Sequence, residues 1–293
     1  MRHIFGVVLL ALITAGCTGF DLVVQLTNTP DAASSGSDAD ATDVTNPGTD
    51  GDASDASDDA ADTPDANPYN ARVTDGLVAL FDFEEGAGTT VHDRVDDPAD
   101  NLAAYNLTIP DDGKTQWLPH ALSITDFTSI TSDATFDKAL TACQMSNEVS
   151  VEAWVVPATA NSGTTGRIVN MSGSGGPVAL NFMLGSSSTA WEWGLNAGER
   201  VILSSPLVTT DLTHLVATRT SDGTSRFYMN GAVAGAPYNG VASLSGWQKY
   251  PLVIGNAPAG SRGWQGEIHL IAVYCRALTA DEVTQNFAAG ADP

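Results

Sequence analysis

"HLVATRTSDGTSRFYMNGAVAGA", residues 214–236, sets three short β-patterned runs around two turn dipeptides, Asp222-Gly223 and Asn230-Gly231. A glycine in such a pair accepts the positive φ of a type I′ turn, whose twist matches that of the strands it joins. Between the turns, Phe227 and Met229 fall on one side of a strand and Arg226, Tyr228 and Asn230 on the other, because successive side chains point to opposite faces. The stretch is an antiparallel meander.

The same period of two runs outward from it. Val149, Val151, Ala153 and Val155 alternate with Ser150, Glu152, Trp154 and Val156, giving one apolar face and one mixed face. Strands are expected at 76–84, 148–156, 167–172, 178–184, 191–195, 201–203, 214–220, 225–230, 252–255 and 267–274, separated by Gly, Ser, Asn and Asp clusters. So many short strands predict an all-β chain folded as a two-sheet antiparallel sandwich. One clear helix comes last, in "LTADEVTQNFAAG". Thr279 and Glu282 form a capping box, Val283 and Phe287 share a face, and Gly290 ends the run.

Charge divides the chain. The formal net charge is -23, and residues 31–67 hold 11 Asp with no basic residue, leaving 23 − 11 = 12 negative charges for the rest. With one Val and no aromatic ring, this stretch buries too little to offset the entropy of ordering it and is expected to be a disordered linker. The acidity argues against nucleic acid as a partner, because phosphate backbones reward clustered Lys and Arg. Ahead of the linker, "MRHIFGVVLLALITAGC" has a basic start, an apolar run too short to span a bilayer, and small residues before Cys17. This ending resembles the lipobox of bacterial lipoproteins, which implies cleavage after residue 16 and acylation of Cys17. Thr14 departs from the branched aliphatic residue usual at that position. An ordinary secreted protein is the alternative. The expected organisation is a signal peptide at 1–16, a mature N-terminal segment at 17–30, a linker at 31–68 and a domain at 69–293. Localisation is then to an envelope, with Thr18 favouring the outer membrane and the bilayer touched only through acyl chains. Lipidation of Cys17 leaves Cys143 and Cys275 as an even pair in an oxidising space, either bonded or separately buried.

"GLVALFDFEEGAGTTVHD" (76–93), "VSVEAWVVP" (149–157), the meander, "PLVIGNAP" (251–258) and "GEIHLIAVYCRALTADEVTQNFAAG" (266–290) together resemble bacterial laminin G-like domains. The resemblance implies the concanavalin A-like jelly roll of lectins and glucanases. It also implies a calcium ion at one rim, for which Asp82 and Asp93 are the candidate ligands, with strand and turn roles as the alternative. The family's Ile-Asp-Glu near the end reads Ile268-His269-Leu270 here, which leaves that Asp without a counterpart.

The sequence lacks the common catalytic patterns. No Glu begins the Glu-x-Asp-x-x-Glu strand of the glucanase branch, and no HExxH or GxSxG motif occurs. "GSGGPV" is Gly-rich but precedes a β pattern rather than a helix, so it is not a phosphate cradle. Sugar rings stack on aromatic faces, which makes Trp191 with Trp193, and Trp154 with Glu152, candidate ligand-binding residues, core packing being the alternative for each. The expectation is a non-catalytic, membrane-tethered module binding an extracellular glycan or surface protein, with calcium as its one cofactor. A structural envelope lipoprotein without a dedicated ligand is the second reading, and a glycoside hydrolase of the concanavalin A-like fold the third. Oligomeric state is not addressed by the sequence.

Overall fold

A computed structural model describes residues 71–97, 101–158, 165–176, 179–187, 189–196, 200–206, 209–240, 243–258 and 260–291. The expected signal peptide at 1–16, Cys17 and the expected linker at 31–68 lie outside the described residues. In chain order the strands are β1 (Leu77–Phe81), β2 (Thr90–Val91), β3 (Leu107–Thr108), β4 (Thr115–Leu118), β5 (Ala121–Ile124) and β6 (Ile130–Thr131). Helix α1 (Asp137–Ser146) follows. Then come β7 (Val149–Pro157), β8 (Gly166–Ser172), β9 (Leu180–Ser186), β10 (Ala190–Asn196), β11 (Arg200–Pro206), β12 (Thr213–Arg219) and β13 (Thr224–Met229). The last are β14 (Ala232–Val233), β15 (Tyr238–Asn239), β16 (Leu252–Ile254), β17 (Gly266–Tyr274) and helix α2 (Ala280–Ala289).

They form two antiparallel sheets. The first runs β14-β13-β12-β7-β17-β5-β4, with β1 also on β17 and β15 on β13; the second runs β11-β10-β9-β8-β16-β6-β3-β2. Val149, Val151, Ala153, Val155, Leu215, Ala217 and Phe227 of the first sheet meet Val169, Met171, Phe182, Leu184, Trp193 and Ile254 of the second in one buried core. A bulge between Ile268 and Leu270 shifts the register of β17 against β7. Ile271 and Val273 therefore join the central core, while Leu270, Ala272 and Tyr274 join a second apolar layer on the outer face.

That outer layer is closed by α2 and by the segment just before β1. Val73, Trp154, Val216, Tyr228, Leu270, Tyr274 and Val283 pack there. The capping box of α2 is present as read: Thr279 Oγ1 accepts from Glu282 N, and the Glu282 carboxylate accepts from Thr279 N. Two differences from the sequence reading have local causes. Helix α1 was not expected because its N-cap is Phe136, which offers no side-chain acceptor for the first-turn amides. The Asp222-Gly223 turn is not a two-residue type I′ loop. Only Gly223 has positive φ (94°), and Thr220 N bonds Thr224 O across the three residues 221–223, the bulged hairpin geometry. At the second turn both Asn230 (50°) and Gly231 (78°) are left-handed, as a type I′ turn requires.

Cys143 of α1 and Cys275 after β17 are joined by a disulfide across 132 positions, which closes the alternative of two separate thiols. Bonds that close loops of this size stabilise small domains by about 2–5 kcal/mol.

Candidate functional site

The residues singled out by sequence fall into three places. Asp93, 5% exposed, is fully engaged by nitrogen donors. Its Oδ1 accepts from Leu80 N at 3.1 Å and Val95 N at 3.0 Å, its Oδ2 accepts from Tyr105 N at 3.1 Å, and Lys138 Nζ lies 2.5 Å from Oδ2. Asp82 accepts from Arg94 Nε at 2.7 Å. That hydrogen bond, against some desolvation, raises the Arg94 guanidinium above its ordinary value. An ammonium and a guanidinium therefore stand where a cation would neutralise the two carboxylates. Calcium needs six to eight oxygen ligands, and among the described residues no three His, Cys, Asp or Glu side chains gather to supply them. Both carboxylates are taken up by protein donors, and Asp93 knits β1, the turn before β3 and α1 together.

Trp191 and Trp193 are wholly buried in the core between the sheets, with Phe182 stacked against Trp193 at 6.1 Å. Neither ring offers a face to solvent. Trp154 lies in the outer layer, parallel to Phe287 at 5.6 Å and tilted against His214 at 4.7 Å.

Glu152 lies below the same cover with no exposed area. Its carboxylate forms an ion pair with Arg72, accepts from Asn286 Nδ2 at 2.7 Å, and sits 3.0 Å from His214 Nε2 and 3.4 Å from the Tyr274 hydroxyl. Burial alone would raise the Glu152 carboxyl, but the Arg72 charge and the His214 contacts outweigh it and hold the group at about 2. Burial, then the nearby Glu152 charge, pushes the Tyr274 phenol up. The structure thus unites Glu152 and Trp154 as the sequence suggested, but beneath a cover.

A different set of residues reaches the surface. Arg167 of β8 is 3% exposed and shares the outer face of the second sheet with Asn170 and Ser172. Its Nη1 donates to Asn170 Oδ1 (3.2 Å), Ser172 Oγ (2.9 Å) and Ser174 O (3.0 Å), and its Nη2 to Gly175 O (3.1 Å). Asn170 Nδ2 donates to Asn256 O at 2.7 Å, and Asn256 Oδ1 accepts from Arg262 N at 2.9 Å. The buried guanidinium thereby fixes loop 173–176, while the Asn170 side chain and the Arg167 backbone amide, which donates to Arg262 O at 3.0 Å, hold Asn256 and Arg262 beside it. Gly175 allows the close approach: a Cβ there would stand 1.8 Å from Ser261 Oγ. Beside them Phe127, 39% exposed, lies over the backbone of Gly263, where a Cβ would be 2.3 Å from the ring. Arg262 Nε donates to Gly175 O at 3.3 Å, and its two terminal nitrogens have no bond among the described residues. The Phe127 ring, the Arg262 guanidinium end, Ser174 and Ser261 thus lie on neighbouring loops. Sequence reasoning passed over this set. Its signals were an Arg within the apolar run "GRIVNMS" and the glycines of "GSGG" and "GSRG".

The architecture is that of a jelly-roll sandwich, a class of lectins, binding modules and glycanases alike. The family model described as the concanavalin A-like lectin/glucanases superfamily (Laminin_G_3) matches residues 131–284, slightly more than half of the 293 residues, and the chain belongs to that family. Among curated proteins nothing matches. Among solved structures the chain is similar to Trypanosoma rangeli sialidase in complex with sialic acid, at 14% identity and a TM-score of 0.56, over 75% of this chain and 34% of that one. It is also similar to the binding domain of botulinum neurotoxin serotype D/C, at 14% identity and a TM-score of 0.52, over 73% of this chain and 52% of that one. A further structure of that domain, in complex with rat synaptotagmin II, matches at 12% identity and a TM-score of 0.52, over 73% of this chain and 52% of that one. The chain spans about a third of the length of the sialidases and about half of the toxin domain. At such identity the likeness is one of fold. It nevertheless corrects the expectation that the chain is not an enzyme: sialidases stand beside a binding domain among its neighbours, so missing motifs do not set catalysis aside.

The Glu152 cluster makes a pH prediction. A carboxyl depressed from 4.5 to about 2 adds stability that is complete above pH 4.5 and is lost as pH falls through about 2. Glu152→Gln is expected to flatten the acid limb of stability between those values, as read by denaturant midpoints at successive pH. An unchanged acid limb would show that the ion pair is not formed.

Proposed function

We propose that the domain is a binding module whose ligand, an extracellular glycan or a surface protein, docks on the rim of Phe127, Arg262 and the 173–176 loop. The observation that carries this reading is Arg167: a buried cation spends its donors on loop carbonyls, which holds the rim formed before any ligand arrives. The family's name and the neighbours support the kind of partner, since one structure is of a sialidase with sialic acid and another of a toxin domain with synaptotagmin II. We propose further that the chain is an exported lipoprotein held at the outer membrane by acyl chains on Cys17, with the Asp-rich segment 31–68 as spacer. A spacer of this kind raises the effective concentration of a tethered domain around its partner.

Binding is tested by a glycan array and by capture of envelope proteins with the purified chain. Phe127→Ala and Arg262→Ala are each expected to weaken binding roughly tenfold or more, about 1.4 kcal/mol, with an unchanged melting midpoint. Binding that survives both substitutions would place the site elsewhere. For the anchor, Cys17→Ser is expected to move the chain from the membrane fraction to the soluble one. Retention of the processed variant on membranes would refute acylation there.

A further inference from the structure

We infer that residues 71–73 form a strap clamped across the middle of the first sheet, on its outer face. Four contacts on three consecutive residues carry this. Ala71 O accepts from Gln285 Nε2 at 2.7 Å, and Val73 N donates to Asn286 Oδ1 at 2.8 Å. Arg72 Nη2 donates to Gly290 O at 2.6 Å, and Arg72 Nη1 pairs with the fully buried carboxylate of Glu152. Val73 itself packs among Trp154, Leu270 and Val283.

The strap ends on central strands. Glu152 belongs to β7, which lies between β12 and β17 in the sheet order, and His214 and Tyr274 reach the same carboxylate from those neighbours. Asn286 serves both sides at once, accepting from the strap backbone and donating to Glu152. The strap therefore cannot peel away residue by residue. Withdrawing Arg72 strands a buried negative charge, and that penalty falls on the whole strap and the last turns of α2 together.

The strap and the Arg167 cluster belong to different sheets. Glu152 and Trp154 point away from the core on the outer face of the first sheet, whereas Arg167, Asn170 and Ser172 do so on the outer face of the second. The strap's own residues thus lie on the outer face of the first sheet, beside Glu152 and Trp154, and among the described residues make no contact with the Arg167 cluster of the second.

Hydrogen exchange on the full chain tests the strap without any ligand, so failure of the rim and failure of the strap are read separately. In Arg72→Gln, peptides covering 71–75 and 283–290 are expected to exchange about tenfold faster or more, while β9 and β10 are unchanged. Arg72→Lys, which keeps the charge but loses the two-pronged contact, is expected to fall between. If Arg72→Gln does not fold, the double variant Arg72→Gln with Glu152→Gln removes both charges and is expected to fold and show the same local loosening. Unchanged exchange in 71–75 and 283–290 would overturn the strap. So would loosening spread evenly into β9 and β10.

Discussion

The central strands β7 and β12 of the first sheet are buried on both faces, and most of the architecture follows from that constraint. An antiparallel sheet ordinarily leaves one face to water, so its outward residues are free to be polar without partners. Here β7 has both sets of side chains covered, and its outward carboxylate and hydroxyl each need partners. Trp154 is stacked on Phe287, Ser150 donates to Arg276 O at 2.8 Å, and Glu152 is met by Arg72, Asn286 and His214. Removing one member of a buried ion pair typically costs about 3–5 kcal/mol, because the other charge is left without water or counterion. Helix α2 and the strap are thus required parts of the fold.

A covered first sheet also decides where a ligand can act. The chemistry best suited to a sugar or an acid–base role by residue type, Glu152 with His214, Tyr274 and Trp154, is spent on holding the cover in place. The second sheet solves the parallel problem of its buried Arg167 differently. It folds the 173–176 loop down onto the guanidinium, and Arg262 of the next loop donates to the same Gly175 carbonyl. A fold shared by sialidases and a toxin's binding domain does not choose between catalysis and binding.

Much of the fold could be read from local pattern. The alternation in 149–156, the Asn230-Gly231 turn and the Thr279/Glu282 capping box each depend on residues a few positions apart, and each is present. Helix α1 escaped because Phe136 gives no capping signal, and strands such as β2, β3, β14 and β15 are two residues long, too short to show a period. The sites were less legible for a different reason. Glu152 and Trp154 do stand together on β7, but what covers them comes from Arg72, 80 positions before Glu152, and Asn286, 134 positions after it. Nothing local distinguishes a Trp exposed to a glycan from one sealed under a helix. Likewise the rim is assembled from residues near 127, 175 and 262, each in a separate loop, so only the topology brings them together.

The central claim is that ligands reach this domain at the Phe127, Arg262 and Gly175 rim and not across the covered sheet. Its most direct measure is the change in amide hydrogen exchange when a glycan or surface protein is bound. Slowed exchange confined to 125–129, 173–176 and 256–265 is the expected result. Protection centred instead on α2 and residues 71–75, with the three loops unaffected, would contradict it.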